Sequence, residues 1–143
     1  MALFLCAAGL FAPAATPAAC TVSTAGITFG IYNPTSPTPA DSAGAISVEC
    51  TYPDGDAGYV IALGAGSSGD SQRTMIGGNG VLHYQLFLDA GHSQSWGDGN
   101  GGSSVISGAG SRRQTYPIYG RIPARQAVVP GSFFDMPVMT ITF

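Results

Sequence analysis

The sequence predicts an all-β protein, and more narrowly an immunoglobulin-like β-sandwich. Apolar and polar residues alternate in several short segments, which is the period of a strand with one buried face. Glycine (21 residues) and proline (10 residues) recur too often for a long helical pattern. Lysine is absent and glutamate occurs once, so two strong helix formers are nearly missing. With 143 residues, a single domain is expected.

The predicted strands follow one another with turns of Gly, Pro, Ser and Asp between them. In chain order they cover residues 21–23, 27–29, 45–51, 59–63, 81–88, 116–122 and 136–143. The fifth is the clearest, since Leu82, Tyr84 and Leu86 fall on one face and His83 and Gln85 on the other. Six or seven such strands are typical of an immunoglobulin-like sandwich.

The last strand, 136–143, is unusually apolar for a chain terminus. Met139, Ile141 and Phe143 alternate with Thr140 and Thr142, so one face carries all the large apolar side chains. A strand of this kind must be paired and covered, or it is an exposed edge that pairs with another chain. The sequence leaves both alternatives open.

Residues 1–19 are interpreted as a secretory signal peptide. A short apolar run at 2–12 precedes several alanines, and cleavage is expected after Ala18 or Ala19. The alternative is that this segment is retained as an apolar N-terminal strand. Without residues 1–19 the exported chain keeps two cysteines, Cys20 and Cys50, which predicts a disulfide that closes a loop of about 30 residues.

Charge and motifs argue against several functional classes. Five scattered arginines and a net charge of −3 provide no electrostatic footprint for nucleic acid. The stretch 64–69 fits Gly-x-Gly-x-x-Gly, but no helix is predicted after it, so we interpret it as a turn and expect no cofactor. The loop 96–102 lacks EF-hand spacing, and no metal is expected. His83 and His92 have no nucleophile partner, so no enzyme is predicted.

An ordered series of motifs resembles the spore coat protein U domain family, which includes subunits of archaic, Csu-type chaperone–usher pili. The motifs are Cys-Thr-Val-Ser at 20–23, Gly-Ile-Thr-Phe-Gly-Ile-Tyr-Asn-Pro at 26–34, Gly-Ala-Ile-Ser-Val-Glu-Cys at 44–50, Trp-Gly-Asp-Gly at 96–99 and Tyr-Gly-Arg-Ile-Pro-Ala at 119–124. The resemblance covers residues 20–143, which we therefore treat as one domain of this type. The cysteine pair of the family falls on Cys20 and Cys50.

The resemblance implies an incomplete immunoglobulin-like sandwich whose missing strand comes from a partner. A periplasmic chaperone would donate a strand first, and at the outer-membrane usher a neighbouring pilin subunit would replace it, which is β-augmentation. The expected acceptor edge is Val138, Met139, Thr140, Ile141, Thr142 and Phe143, with Met139, Ile141 and Phe143 on the groove floor. The implied route is secretion via the periplasm to a fimbria on the cell surface.

Two departures from the family pattern affect this interpretation. After cleavage at Ala18 or Ala19 no donor strand precedes Cys20, so the chain would accept a strand without giving one, as an end (tip-type) subunit does. Pro137 lacks an N–H group, so pairing at the acceptor edge is expected to start after it. The alternative function is a self-complete secreted binding or adhesion module, with Trp96 and Tyr119 as its candidate surface contacts.

Overall fold

A computed structural model of the chain describes residues 17–53, 57–64, 73–77 and 80–143, which contain eight strands and no helix. In chain order the strands are β1 (Ala19–Ala25), β2 (Ala40–Thr51), β3 (Gly58–Leu63), β4 (Arg73–Gly77), β5 (Gly80–Phe87), β6 (Ile106–Ala109), β7 (Gln114–Ile122) and β8 (Met139–Thr142). Across the described ranges, then, no helical segment is long and apolar enough to pass through a bilayer.

The strands form two antiparallel sheets that enclose one core. Five strands pair in the order β1-β2-β7-β5-β4, and three pair in the order β6-β3-β8. Ile61 of the smaller sheet and Val48, Leu82 and Ile122 of the larger sheet are the most completely buried large side chains. Side chains from both sheets therefore meet between them, as in a sandwich. The predicted all-β, immunoglobulin-like fold class is confirmed.

The strongest alternating segments fold as predicted. In β5, Leu82, Tyr84 and Leu86 are buried while His83 is exposed, because successive strand residues point to opposite sides of the sheet. The same alternation buries Ile118 in β7.

Several strand boundaries differ from the prediction. Residues 27–29 are not a strand, since the chain leaves the sheet after β1 and crosses its inner face. The strand β6 was not predicted, because its sequence Ile-Ser-Gly-Ala carries one large apolar residue. The strand β8 begins at Met139 and not at residue 136. The proposed signal peptide lies outside the described residues apart from 17–19, and so does 65–69 of the glycine motif.

A disulfide joins the first two strands. Cys20 and Cys50 lie directly opposite each other in the β1–β2 ladder, with a Cα–Cα distance of 4.0 Å. The ladder has seven residue pairs, from Ala19 with Thr51 to Ala25 with Ala45. The covalent link and the ladder together fix β1 to the larger sheet.

Candidate functional site: an apolar groove between the sheets

A groove of about 640 Å³ opens between the two sheets. One side is formed by residues 24–32, which we call the N-terminal wall, and the other by residues 132–139, the C-terminal wall. Its floor consists of core side chains from both sheets, among them Ile46, Leu63, Leu82, Leu86, Ile118 and Ile122. Apolar side chains thus dominate the lining, which is the composition of a site for an apolar ligand or segment.

The N-terminal wall lies close to the sheet because two strand glycines make room for it. A Cβ atom at Gly120 would lie 2.5 Å from the Phe29 ring, and one at Gly44 would lie 2.8 Å from Ile27. The Ser42 hydroxyl donates a hydrogen bond of 2.7 Å to the Thr28 carbonyl oxygen. Contact with β2 and β7 therefore positions this wall without regular strand pairing.

The C-terminal wall is bonded to both sheets. Phe134 and Ile76 of β4 exchange two backbone hydrogen bonds, of 2.8 and 3.0 Å. Near its other end, the Val138 carbonyl oxygen accepts the Gly64 N–H at 2.8 Å, just after β3. A Cβ atom at Gly77 would clash with the Ser132 carbonyl oxygen, so the glycine allows this close approach. The wall therefore crosses from one sheet to the other.

Tyr84 and Asp135 form a hydrogen-bonded pair within the mostly apolar lining. The Tyr84 hydroxyl donates a hydrogen bond of 2.6 Å to Asp135 Oδ2, and both residues line the groove. Across the β4–β5 ladder from Tyr84 lies Arg73, which is 3% exposed and donates to the carbonyl oxygens of Gly64 and Trp96. Burial raises the pKa of Tyr84, and its bond to Asp135 adds to this effect, so the hydroxyl keeps its proton.

Burial lowers the pKa of Arg73, and the nearby Tyr84 and Asp135 oppose this shift. An arginine starts from so high a pKa that it stays charged. A buried cation of this kind is tolerated because carbonyl oxygens and a carboxylate surround it. Arg73 thereby ties the end of β3 to Trp96 beneath the groove.

The strand β8 lies beside the groove at the edge of the smaller sheet. It pairs with β3 on one side, and within the described ranges no strand pairs with its other side. Val138 directs its carbonyl oxygen toward Gly64, and backbone direction alternates along a strand. The backbone groups of Met139 and Ile141 therefore point away from β3, toward the open edge.

The comparisons with known proteins agree with this architecture. The model of the Spore Coat Protein U domain matches residues 7–141. The chain belongs to this family. The resemblance inferred from the sequence motifs is thereby confirmed. Among curated proteins, none matches the chain.

A solved structure shares the fold of this Spore Coat Protein U domain. It is the crystal structure of the CsuC-CsuE chaperone-tip adhesion subunit pre-assembly complex from archaic chaperone-usher Csu pili of Acinetobacter baumannii. The TM-score is 0.60 with 19% sequence identity, over 89% of this chain and 40% of that chain. At this identity the likeness concerns the fold alone, and the present chain spans well under half of its neighbour.

The predicted acceptor residues of this domain occupy different surroundings. Met139 lines the groove, and Ile141 is half-buried against the core. Ile141 and Phe143 are not among the described residues that line the groove, and Phe143 is 54% exposed. Thr140 and Thr142 are exposed on the outer face of β8. Of the three residues expected on the groove floor, the groove therefore contains one.

Beside the groove, the outer side of the C-terminal wall is also apolar. Phe134, Met136 and Val138 are 66%, 82% and 70% exposed. They alternate along the chain with residues that are less exposed and line the groove, such as Asp135 and Pro137. A row of large apolar side chains in solvent is unusual on a monomeric protein and marks an interaction surface. The wall thus presents apolar residues on two sides.

The structure corrects the expectation that Trp96 is a surface contact. Its side chain is 4% exposed, and its indole N–H donates a hydrogen bond of 3.2 Å to the Ile61 carbonyl oxygen. Tyr119 is half-buried, with its ring centroid 6.4 Å from that of His92. The two residues assigned to the alternative binding surface do not form an exposed aromatic patch.

Sequence reasoning identified both walls only in part: residues 27–29 and 136–139 were predicted as strand residues, and the walls themselves were not predicted. The inward residues of the C-terminal wall are Phe133, Asp135, Pro137 and Met139, which have the period of a strand. Asp and Pro are depleted in strands, so this pattern was read only from residue 136 onward. The N-terminal wall has the period of a strand over residues 27–31 but forms no regular strand. Its one usable signal is the group Ile27, Phe29 and Ile31, which lies outside any regular element.

Proposed function

We propose that this protein is a structural subunit of a chaperone–usher pilus and that its groove accepts an extended strand from a partner. The observation that carries the proposal is the open apolar groove beside β8, an edge strand with no partner on one side in the described residues. Membership of the Spore Coat Protein U domain family and the fold shared with a pilus assembly complex support it.

An incoming strand would satisfy two needs of the groove at once. Its backbone would pair with the outward groups of Met139 and Ile141, and its alternate side chains would cover the core residues on the groove floor. Burying one large apolar side chain contributes about 1.5–3 kcal/mol. Three or four such side chains would therefore contribute several kcal/mol toward the cost of ordering and binding the incoming strand.

The partners follow from this mode of binding. A periplasmic chaperone would supply the first strand, and a neighbouring pilin subunit would replace it at the outer-membrane usher. The chain would reach the cell surface through the periplasm after loss of residues 1–19. We assign it a structural role and no catalytic step.

An end position in the fibre depends on the true N-terminus. With Cys20 near the start of the mature chain, no donor segment would precede it, which fits a tip-type subunit. The family match, however, begins at residue 7 and includes 7–19 of the proposed signal peptide. Intact mass of the exported protein decides between these two forms. A chain that still carries these residues would contradict the end-subunit assignment.

The acceptor function is tested by two adjacent substitutions in β8. Met139 faces the groove, whereas Thr140 is exposed on the opposite side of the same strand. We expect Met139→Asp to abolish co-purification with the chaperone from the same operon, because a carboxylate would be buried against the donor strand. Thr140→Asp is the matched control and should be captured normally.

The same pair is measured in vitro so that poor export does not imitate poor binding. Purified variants are titrated with synthetic peptides that correspond to the N-terminal segments of subunits from the same operon. Equal peptide affinity of Met139→Asp and Thr140→Asp would contradict the acceptor function. A free monomer that is stable and binds neither chaperone nor peptide would instead support a self-complete module.

A further inference from the structure

Besides the edge of β8, part of β5 in the larger sheet also lacks a neighbouring strand on one side. β5 pairs with β7 through Gln85, Leu86 and Phe87 only. Continuing this register by two residues would place Pro123 opposite His83, and proline has no N–H group to donate. The ladder between these two strands therefore ends before β5 does.

The side chain of Gln126 takes the place of the missing peptide group. Its Oε1 atom accepts the His83 N–H at 2.7 Å, and its Nε2 atom donates to the His83 carbonyl oxygen at 2.7 Å. An opposing residue in an antiparallel ladder offers the same pair of hydrogen bonds. The primary amide reproduces them because it carries one acceptor and two donors. His83 is thus paired as if a strand lay beside it.

Neighbouring residues hold Gln126 in this position. Arg125 adopts a left-handed conformation (φ 59°), which turns the chain back just before Gln126. The Gln126 backbone N–H donates to the Tyr32 hydroxyl at 3.1 Å, and that hydroxyl donates to the Pro123 carbonyl oxygen at 2.7 Å. Tyr32 is 3% exposed and also lines the groove. The arrangement is therefore built into the fold and adjoins the proposed acceptor site.

We propose that Gln126 is a specificity residue that closes β5 to strand addition. An edge residue with unpaired N–H and C=O groups is a template for another chain. Gln126 occupies both groups of His83, so an extended partner segment or a second copy of this chain cannot pair there. Gln126 thereby removes β5 as a competitor of the groove beside β8. The role of that groove rests on the proposed acceptor function, whereas the closure of β5 does not.

Three variants test the closure. Gln126→Leu keeps the approximate size and removes both hydrogen bonds, and Gln126→Glu keeps the acceptor but turns the donor into a group that repels the His83 carbonyl oxygen. Gln114→Leu is the control, because Gln114 also donates from its side-chain amide to a backbone carbonyl oxygen, that of Ala109 at 2.7 Å. Should Gln126→Leu fail to fold, Gln126→Asn shortens the side chain by one methylene and serves in its place.

The first measurement is amide hydrogen exchange of His83. We expect it to become about tenfold faster in Gln126→Leu and Gln126→Glu and to remain unchanged in Gln114→Leu, as loss of one backbone hydrogen bond implies. Unchanged exchange at His83 would overturn the proposal, because the amide would then have another source of protection.

The second measurement separates specificity from a merely structural role. Analytical ultracentrifugation over a range of concentrations is expected to find the wild type and Gln114→Leu monomeric and the Gln126 variants self-associated, with β5 protected in the associated form. Variants that expose the His83 amide yet stay monomeric would overturn the proposed specificity. This outcome is distinct from failure of the acceptor function, in which the wild type would bind no strand peptide at all.

Discussion

Edge strand β1 of the larger sheet and edge strand β8 of the smaller sheet are built in opposite ways. β1 has seven residues, pairs along its whole length with β2, and carries the disulfide. Five of its residues are exposed, and the sequence Thr-Val-Ser-Thr supplies mostly polar side chains. β8 has four residues, lies beside the groove and directly follows the exposed apolar residues Phe134, Met136 and Val138 in the chain. A polar edge strand that is fixed by a disulfide discourages addition of a strand, whereas a short edge strand beside an apolar groove favours it.

The other edge of the larger sheet is covered by the chain itself. β4 pairs with Phe134 of the C-terminal wall through two backbone hydrogen bonds, which occupy its outer side at Ile76. Gln126 covers β5 in a similar way, through the N–H and carbonyl groups of His83. The edges therefore differ in how far the chain itself covers them.

The largest expected effect comes from removing the disulfide that fixes β1 to β2. Replacing both cysteines in Cys20→Ser/Cys50→Ser should lower the free energy of unfolding by about 3–4 kcal/mol, because the link closes a loop of 30 residues. Urea unfolding followed by Trp96 fluorescence measures this, since the ring is buried in the folded state. Ser23→Ala, on an exposed position of β1, is the control. A loss below about 1 kcal/mol would mean that the ladder alone secures β1.

A smaller loss of stability is expected from a change at the N-terminal wall of the groove. Gly120→Ala places a methyl group against the Phe29 ring and should cost about 1–3 kcal/mol, because Phe29 must move within the N-terminal wall. The same change should weaken binding of a strand peptide. Gly26→Ala is the matched control, since a Cβ atom there has no neighbour within 4 Å. Equal stability and equal peptide affinity of the two variants would show that the wall tolerates displacement.

The smallest loss of stability is expected from breaking an ion pair between β2 and β7 of the larger sheet. Arg121 donates to both oxygens of Asp41, at 2.7 and 2.8 Å, and these hydrogen bonds hold the pKa of Asp41 below its usual value. A depressed folded-state pKa stabilises the fold above pH about 4, and this contribution disappears as the pH falls further. Asp41→Asn should therefore cost at most about 1 kcal/mol at neutral pH, since the pair is half-exposed.

Urea unfolding at neutral pH and near pH 2 measures this pH dependence. The difference between wild type and Asp41→Asn should vanish at the lower pH. A difference that grows on acidification would contradict the assigned role of the ion pair. Strand binding in the groove should be the same in both proteins, because Asp41 does not line it.

Strands of the larger sheet were predictable where one face is buried in the core and the other face is exposed. β5 and β7 alternate cleanly, since each has one face on the core, and the sequence predicts them to within two residues at each end. β6 was missed because a strand of small residues carries no period. The absence of a strand at 27–29 has a tertiary cause: Gly44 and Gly120 let that segment pack across the sheet, and this depends on residues far along the chain.

The candidate site was predictable only in part. The alternation in 136–143 indicated an apolar edge, and Met139 lines the groove. Asp135 faces the groove because Tyr84 donates a hydrogen bond to it, which no local pattern indicates. Trp96 was a candidate surface contact only under the alternative function, and its buried hydrogen bond to Ile61 places it in the core. Contacts between distant segments, and not local composition, decide these positions.

The path of the C-terminal wall has a mechanical consequence. The wall is bonded to β4 at Phe134 and to Gly64 at Val138, and the chain continues directly from it into β8. A pulling force along β8 would therefore load the β3–β8 ladder in shear and pass through the wall to the larger sheet. Hydrogen bonds loaded in shear must break together, whereas bonds that are peeled break one after another. Tension on β8 would thus be shared between both sheets of the domain.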